Sequence, residues 1–403
     1  MPFDVARVRA AYPALADGHA YLDGAAGTQL PGSVIEAIAG AYRDGLGNSG
    51  GAFAASRRAD EITAECRRAV ADLTGGVADG VILGPNMTTL TYRLAGTLAA
   101  AWRPGDEVVV SRLDHDANIR PWVQAAATAG ARVRWADVRL PEGDLITGQF
   151  AGLITERTRL VAVTAASNVI GTRPDVAGIT ALARAAGALS YVDGVHATPH
   201  GPVDVRRLGA DFYATSAYKW SGPHAGAVVA DPAVLESLEP ARLAPAPATG
   251  PGRFERGTLP FADLAGVTAA VEHLASLAGP ALAAGTRRER ILASMAAAEQ
   301  HEQDLFRVLL GGLAAMGHVT CYGQAARRTA TAFFTVAGRT PRQVARHLAT
   351  RKVNVWDGDN YAWELAGLLG IRASGSAVRA GLVHYNDRSD VARLLEAVAE
   401  LDG

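Results

Sequence analysis

A lysine set between apolar neighbours is rarely there without a task, and Lys219 has that setting in TSAYKWSG. A carboxylate ends the apolar run SYVDG (Asp193), an imidazole follows another in LDHDAN (His115), and side-chain amides follow two more, in SNVIGT (Asn168) and LGPNMTTL (Asn86). In an open α/β sheet, ligands bind outside the carboxyl ends of the strands. If the five runs are strands, that topology gathers an ammonium, a carboxylate, an imidazole and two amides on one edge. The amine is then the group fitted to act as nucleophile and base.

Each residue has a plainer alternative. Asp193 could cap a turn, and Asn168 could be an Asx-turn residue. His115 could be a solvated loop histidine or a metal ligand with Asp114 and Asp116, but no second His/Cys cluster supports a metal, and none is expected. His196 and His200 are four apart, yet Pro199 between them argues against the helix a zinc pair needs. Gly45, Gly47 and Gly50 fit the dinucleotide pattern G-x-G-x-x-G. They follow an amphipathic helix (Ile35, Ile38, Ala39, Tyr42) rather than a strand, so the nicotinamide reading lacks its βα context.

From about 80 to 230 the chain alternates short apolar runs (VILGP, EVVVSRL, ARVRWADV, RLVAVTAAS, ALSYVDG, DFYATSAY, AGAVVAD) with helix-like segments such as MTTLTYRLAGTLAAAW and ITALARAAG. Continuous apolar strands interleaved with helices predict a mostly parallel sheet covered on both faces. PARLAPAPATGPG (240–252) marks the exit from that layer. A long helix over roughly 280–316 follows, then strands in TAFFTVAG and AVRAGLVHYN with helices in PRQVARHLAT and RSDVARLLEAVAEL. We therefore expect a large α/β domain over 22–258 and a smaller α+β domain over 259–403, which residues 1–21 join.

At 403 residues the chain can bury a large core. Lys+Arg of 39 against Asp+Glu of 40 leaves no basic surface for nucleic acid and no acidic tail. The first segment, MPFDVARVRAAYPALADG, carries charges throughout and predicts no signal peptide, and no run reaches the roughly 18 apolar residues of a membrane span. A cytoplasmic protein is expected. Two cysteines make no disulfide framework; Cys66 and Cys321 both read as buried small apolar residues.

Beyond these patterns, the sequence resembles the class V aminotransferases of pyridoxal phosphate (PLP) fold type I, and most closely the cysteine desulfurase-like branch. The resemblance runs through YLDGAAGTQLP, NSGGAFAASRRA, LGPNMTTLTYRL, RLDHDANIRPW, ASNVIGT, YVDGVHATPHG, TSAYKWSGPHAG, FERGTLPF and VRAGLVHYN. It implies an aspartate aminotransferase-like α/β fold with a seven-stranded type of sheet, PLP as cofactor, an amino-acid substrate and a homodimer. It also implies roles: Lys219 as the Schiff-base lysine, with Ser216 and neighbouring Tyr218 in the cofactor-binding segment and Ser216 on the phosphate. Asp193 would pair with the pyridinium nitrogen, His115 stack on the ring, and Asn168 and His196 lie near the ring oxygen. Asn86 and Met87 would form the phosphate-cradling turn. Thr258 would reach the phosphate of the neighbouring subunit, and Arg379 would clamp the substrate carboxylate.

One departure limits the resemblance. Cysteine desulfurases carry a nucleophilic cysteine in a small-domain loop before the carboxylate-binding arginine. Here that stretch is NVWDGDNYAWELAG, with Tyr361 near the cysteine's place. Phe53 likewise stands where the family has a histidine. The expectation is therefore β-elimination on a cysteine-like substrate without a persulfide cysteine. Amino-group transfer, epimerisation and decarboxylation use the same machinery and stay open. The completeness of the residue set argues against a non-catalytic PLP-binding scaffold.

Overall fold

A computed structural model describes residues 3–280 and 284–402. Its centre is a seven-stranded sheet in the spatial order Val81–Gly84, Gly226–Ala230, Phe212–Ser216, Leu189–Asp193, Thr158–Thr164, Glu107–Ser111, Arg132–Ala136. Six strands run in one direction. Only Gly226–Ala230 runs opposite, antiparallel to both of its neighbours. Five of the six co-directional strands are buried along most of their length because helices cover both faces, which is why they read as unbroken apolar runs, while the edge strand Arg132–Ala136 is only partly covered. The two faces carry separate cores, one around Val109, Val161, Val192 and Tyr213, the other around Val108, Leu160, Tyr191 and Phe212.

A four-stranded antiparallel sheet follows in the chain, ordered Trp356–Gly358, Ala377–Gly381, Thr331–Val336, Val319–Tyr322. Its core joins Phe334, Val378 and Ala380 to Leu309 and Leu313 of the helix Arg287–Ala314 and to Leu394. That helix begins with a capping box, Thr286 against Glu289, which satisfies two of its free N–H groups. The sequence placed its start near 280; residues 281–283 lie outside the described ones. The N-terminal segment reaches both layers. Ala20 and Tyr21 pair in parallel with Val353 and Asn354, while Val8 and Tyr12 belong to the core of the large sheet.

Cys66 is buried on the helix Ala54–Thr74, but Cys321 is only half-buried, correcting the expectation for it. Its strand is the edge of the small sheet, paired on one side alone, so its side chains are only partly covered. No helix among the described residues is long and apolar enough to cross a membrane.

Candidate active site

The carboxyl ends of the six co-directional strands share one edge of the large sheet, and the polar residues collect there. Met87, Thr88, His115, Asn168, Asp193, His196, Ser216, Tyr218 and Lys219 line one pocket of about 380 Å³. Eight of the twelve residues singled out by the sequence are thus brought together.

Lys219 closes a short 3-10 turn, Ala217–Lys219, immediately after its strand, and is 6 % exposed. Burial, reinforced by the Arg379 charge, lowers its ammonium pKa, while Asp193 opposes the shift. Asp193 ends a central strand, paired with Thr164 on one side and Ala214 on the other. Burial raises its pKa, against the Val195 N–H, which donates to Oδ1 at 2.9 Å, and the Lys219 charge. A cation bound against this carboxylate would bring it back toward its ordinary range. The next residue must be glycine, because a Cβ on Gly194 would lie 1.9 Å from the Tyr213 ring.

His115 follows its strand and accepts a hydrogen bond from the Ala117 N–H at Nδ1, 3.0 Å. Burial, then the charges of Lys219 and Arg379, push it down to about 3, so its ring is a neutral plate. Asn86 is the N-cap of the helix Met87–Ala99, accepting from the Thr89 N–H at 2.9 Å. Met87 N–H donates to Ser216 Oγ at 3.0 Å, and among the described residues the Thr88 N–H has no acceptor. A helix start with a free N–H beside a serine hydroxyl suits a phosphate. Gly226, at the start of the antiparallel strand, permits this turn; a Cβ there would lie 2.4 Å from the Asn86 carbonyl carbon.

Arg379 enters from the small sheet, buried in its central strand opposite Phe333 and Trp356. Its Nη1 donates to the Asn168 carbonyl at 2.9 Å, and its other N–H groups have no hydrogen-bond partner among the described residues. Burial lowers it to about 10, which leaves it charged at neutral pH, and it retains a fork for a carboxylate. Tyr361 lies over the outer side of the site, 70 % exposed, its ring stacked on His115 at 5.2 Å and 25°. Its loop is tied down at two points: Tyr361 C=O accepts from the Asp116 N–H at 2.8 Å, and Asn360 C=O accepts from Asn168 Nδ2 at 2.8 Å. Thr258 is not brought to the pocket. It lies in a separate open groove with Asn48, Arg67, Arg242, Leu243 and Arg256.

Three residues of the site were not singled out as such. Asp23, half-buried near Arg379, is raised to about 6 by desolvation, with Arg379 opposing. Asp114 accepts from Ser111 Oγ at 2.5 Å and from Asn118 Nδ2 at 2.6 Å, which anchors the turn that presents His115. Asn360 supplies only a backbone carbonyl, which leaves no signature in residue type.

Two buried polar atoms in the pocket, Asn168 Oδ1 and His196 Nδ1, have no partner among the described residues. Buried polar atoms are rarely left so. Together with the phosphate-type turn, the neutral plate of His115 and a buried lysine near a buried carboxylate, they fit a flat, polar-rimmed, phosphorylated aldehyde.

Comparison with known proteins agrees. The profile of the family "Aminotransferase class-V" matches residues 20–394. An uncharacterized protein of Mycobacterium tuberculosis is 37 % identical over 402 residues, covering 100 % of both chains. A cysteine desulfurase of Klebsiella pneumoniae is 31 % identical over 427 residues, covering 100 % of this chain and 99 % of its own. Among solved structures, an Escherichia coli cysteine desulfurase in an S-sulfonic acid form superposes with a TM-score of 0.86 at 28 % identity, covering 100 % of this chain and 99 % of that one. The sheet order and the pocket define a PLP fold type I enzyme. The chain belongs to the class V aminotransferase family and is a PLP-dependent enzyme related to the cysteine desulfurases.

Proposed function

We propose that the enzyme cleaves the C–S bond of a cysteine-like amino acid by β-elimination, releasing sulfur as free sulfide or thiol. The observation that carries this reading is that no cysteine lines the pocket, while the exposed phenol of Tyr361 stacks on His115, one of its lining residues. A phenol with a pKa near 10 is protonated at neutral pH and cannot take up sulfur as a thiolate does. Burial raises the thiol pKa of Cys66 to about 12.

PLP held here supplies an electron sink for negative charge developing at the substrate's α-carbon. Lys219 would hold the cofactor and take the substrate's α-proton; its lowered pKa makes the free amine available near neutral pH. Asp193 would hold charge against the cofactor's pyridine nitrogen. Neutral His115 would orient the ring, and Asn168 and His196 would lie near its oxygen. The Met87–Ala99 helix start and Ser216 would hold the phosphate, with Tyr218 flanking. Arg379 would grip the α-carboxylate bidentately and so orient the substrate for attack at its α-carbon. Cysteine and water then give pyruvate, ammonia and sulfide.

Product analysis on a panel of amino acids tests this directly. Pyruvate with sulfide supports the elimination, whereas a keto acid with pyridoxamine phosphate, or an inverted stereocentre, refutes it. The Cys66→Ala/Cys321→Ala protein should keep its full rate. A cysteine-dependent protein persulfide that forms on turnover with L-cysteine and is lost in that double variant would overturn the reading.

We further propose a cytoplasmic homodimer with shared sites, in which the groove at Thr258 receives the partner's pocket and Thr258 reaches its phosphate. Exposed Leu243 in that groove and exposed Tyr42 and Phe53 support such a contact, and two unpaired cysteines suit a reducing compartment. Mixing Lys219→Ala with Thr258→Ala protein should restore activity through hybrid dimers that carry one intact site. A fully active monomer at sedimentation equilibrium would contradict this.

A further inference from the structure

The loop that follows the small-sheet strand Trp356–Gly358 is tied to the large sheet's side by charged groups that the elimination does not use. Its backbone is strained: Asn360 and Tyr361 adopt the left-handed conformation in succession, at φ 52° and 61°. Residues other than glycine avoid that region, and such strain persists only where the surroundings hold it. Within the loop, Asn360 Nδ2 donates to the Gly358 carbonyl at 2.9 Å, and the Tyr361 N–H donates to Asp359 Oδ1 at 2.9 Å. These bonds shape the loop but do not place it.

Placement comes from Glu364, just past the loop, its side chain 15 % exposed. Oε2 accepts from Arg112 Nη1 at 3.0 Å, and Oε1 accepts from Arg120 Nη2. The two arginines flank His115 in the chain, and each is anchored on the large-sheet side. Arg112 Nε donates to Asp137 Oδ1 at 2.7 Å, with its guanidinium over the Trp135 ring at 4.6 Å. Arg120 Nε pairs with Asp116 Oδ1 at 2.8 Å. One half-buried carboxylate shared by two anchored arginines is a network, and it holds geometry better than an isolated surface pair does.

The loop meets the pocket at two of its lining residues. The Asn360 carbonyl accepts from Asn168 Nδ2 at 2.8 Å, and the Tyr361 ring stacks on His115. The Tyr361 carbonyl also accepts from the Asp116 N–H, in the turn that presents His115, at 2.8 Å. Moving the loop would free the Asn168 amide and uncover one face of the His115 ring. We propose that Glu364, held by Arg112 and Arg120, is a positioning residue that clasps this loop, so that Asn168 and His115 are set before an amino acid enters. This rests on the reading that the pocket takes the amino acid's α-proton.

The test uses the cofactor-loaded enzyme and two readouts. Hydrogen–deuterium exchange follows the amides of residues 358–364 and of Asp116. NMR in deuterated water follows exchange of the α-proton of L-alanine, which has no sulfur to lose. Glu364→Gln keeps the shape and removes the charge; Arg112→Gln/Arg120→Gln removes the charge from the other side and stands in if the first variant fails to fold. In each, the loop amides should exchange about tenfold faster or more. Exchange of the α-proton should slow by about 10–100-fold, the loss that a small misplacement of positioned groups produces. Combining the three substitutions should go no further than either set. Salt should move the wild type toward the variants and leave the variants where they are, because partly exposed charges are screened. Wild-type rates of both exchanges beside a lowered melting temperature would mean packing only and would overturn the proposal. If both exchanges respond as expected but cysteine yields no pyruvate and sulfide, the elimination fails and the clasp stands.

Discussion

Lys219→Ala protein should lose activity by roughly 10²–10⁴-fold, the span of a positioned proton-transfer group, together with its borohydride-reducible link to the cofactor. The expectation follows from where the amine sits. Lys219 is held by a turn whose Trp220 N–H donates to the Ala217 carbonyl at 2.9 Å and whose Ser221 adopts the left-handed conformation, φ 67°. Ser221 Oγ is within 2.7 Å of Tyr12 Oη, which also meets His273 Nε2 at 2.9 Å and His384 Nε2 at 2.6 Å. The N-terminal segment, the lysine turn and the small sheet are thus tied at one buried node, so the backbone should survive removal of the amine. No other lysine lines the pocket. Mass spectrometry of the borohydride-treated variant would check the assignment, and a reduced cofactor adduct on a second lysine would sink it.

How much of this was legible in the sequence depends on which force fixed each residue. The sheet could be read because burial on both faces imposes continuous apolar runs, and the residue just past each run was then placed by topology alone. Asp193, Lys219 and His115 fall in this class. Arg379 lies within the apolar strand AVRAG of a different sheet, so only family resemblance pointed to it; its place beside Asn168 depends on how the two sheets pack. Asp114 was visible only as a metal candidate, since its bonds to Ser111 and Asn118 follow from a turn with no apolar periodicity. The Glu364–Arg112 contact joins residues 252 apart, and nothing local marks either one. The half-exposure of Cys321 escaped for the converse reason: an edge strand and an inner strand share the same local pattern, and strand order is a tertiary property.

Asp193→Asn should separate stability from catalysis. The carboxyl is buried, and burial raises its pKa. A raised folded-state pKa for an acid means that ionisation opposes folding, and the penalty grows as pH climbs above the unfolded value near 3.9. Asparagine has the same shape, can accept the Val195 N–H, and carries no charge to bury. Lys219 then loses its counter-charge, but at pH 8 its lowered pKa lets it shed its proton instead of unfolding the chain. Cofactor-free Asp193→Asn protein should therefore melt at pH 8 no lower than wild type. Catalysis should move the other way, because a neutral amide cannot hold the pyridine nitrogen protonated and the electron sink weakens. Truncating a buried charge pair costs roughly 3–5 kcal/mol, and at 1.36 kcal/mol per decade kcat/KM should fall by roughly 10²–10⁴-fold. Calorimetry of the cofactor-free proteins and steady-state kinetics of the loaded ones measure the two halves. If melting temperature and rate fell together, Asp193 would be a structural residue; an unchanged rate would show that the nitrogen is met by some other group.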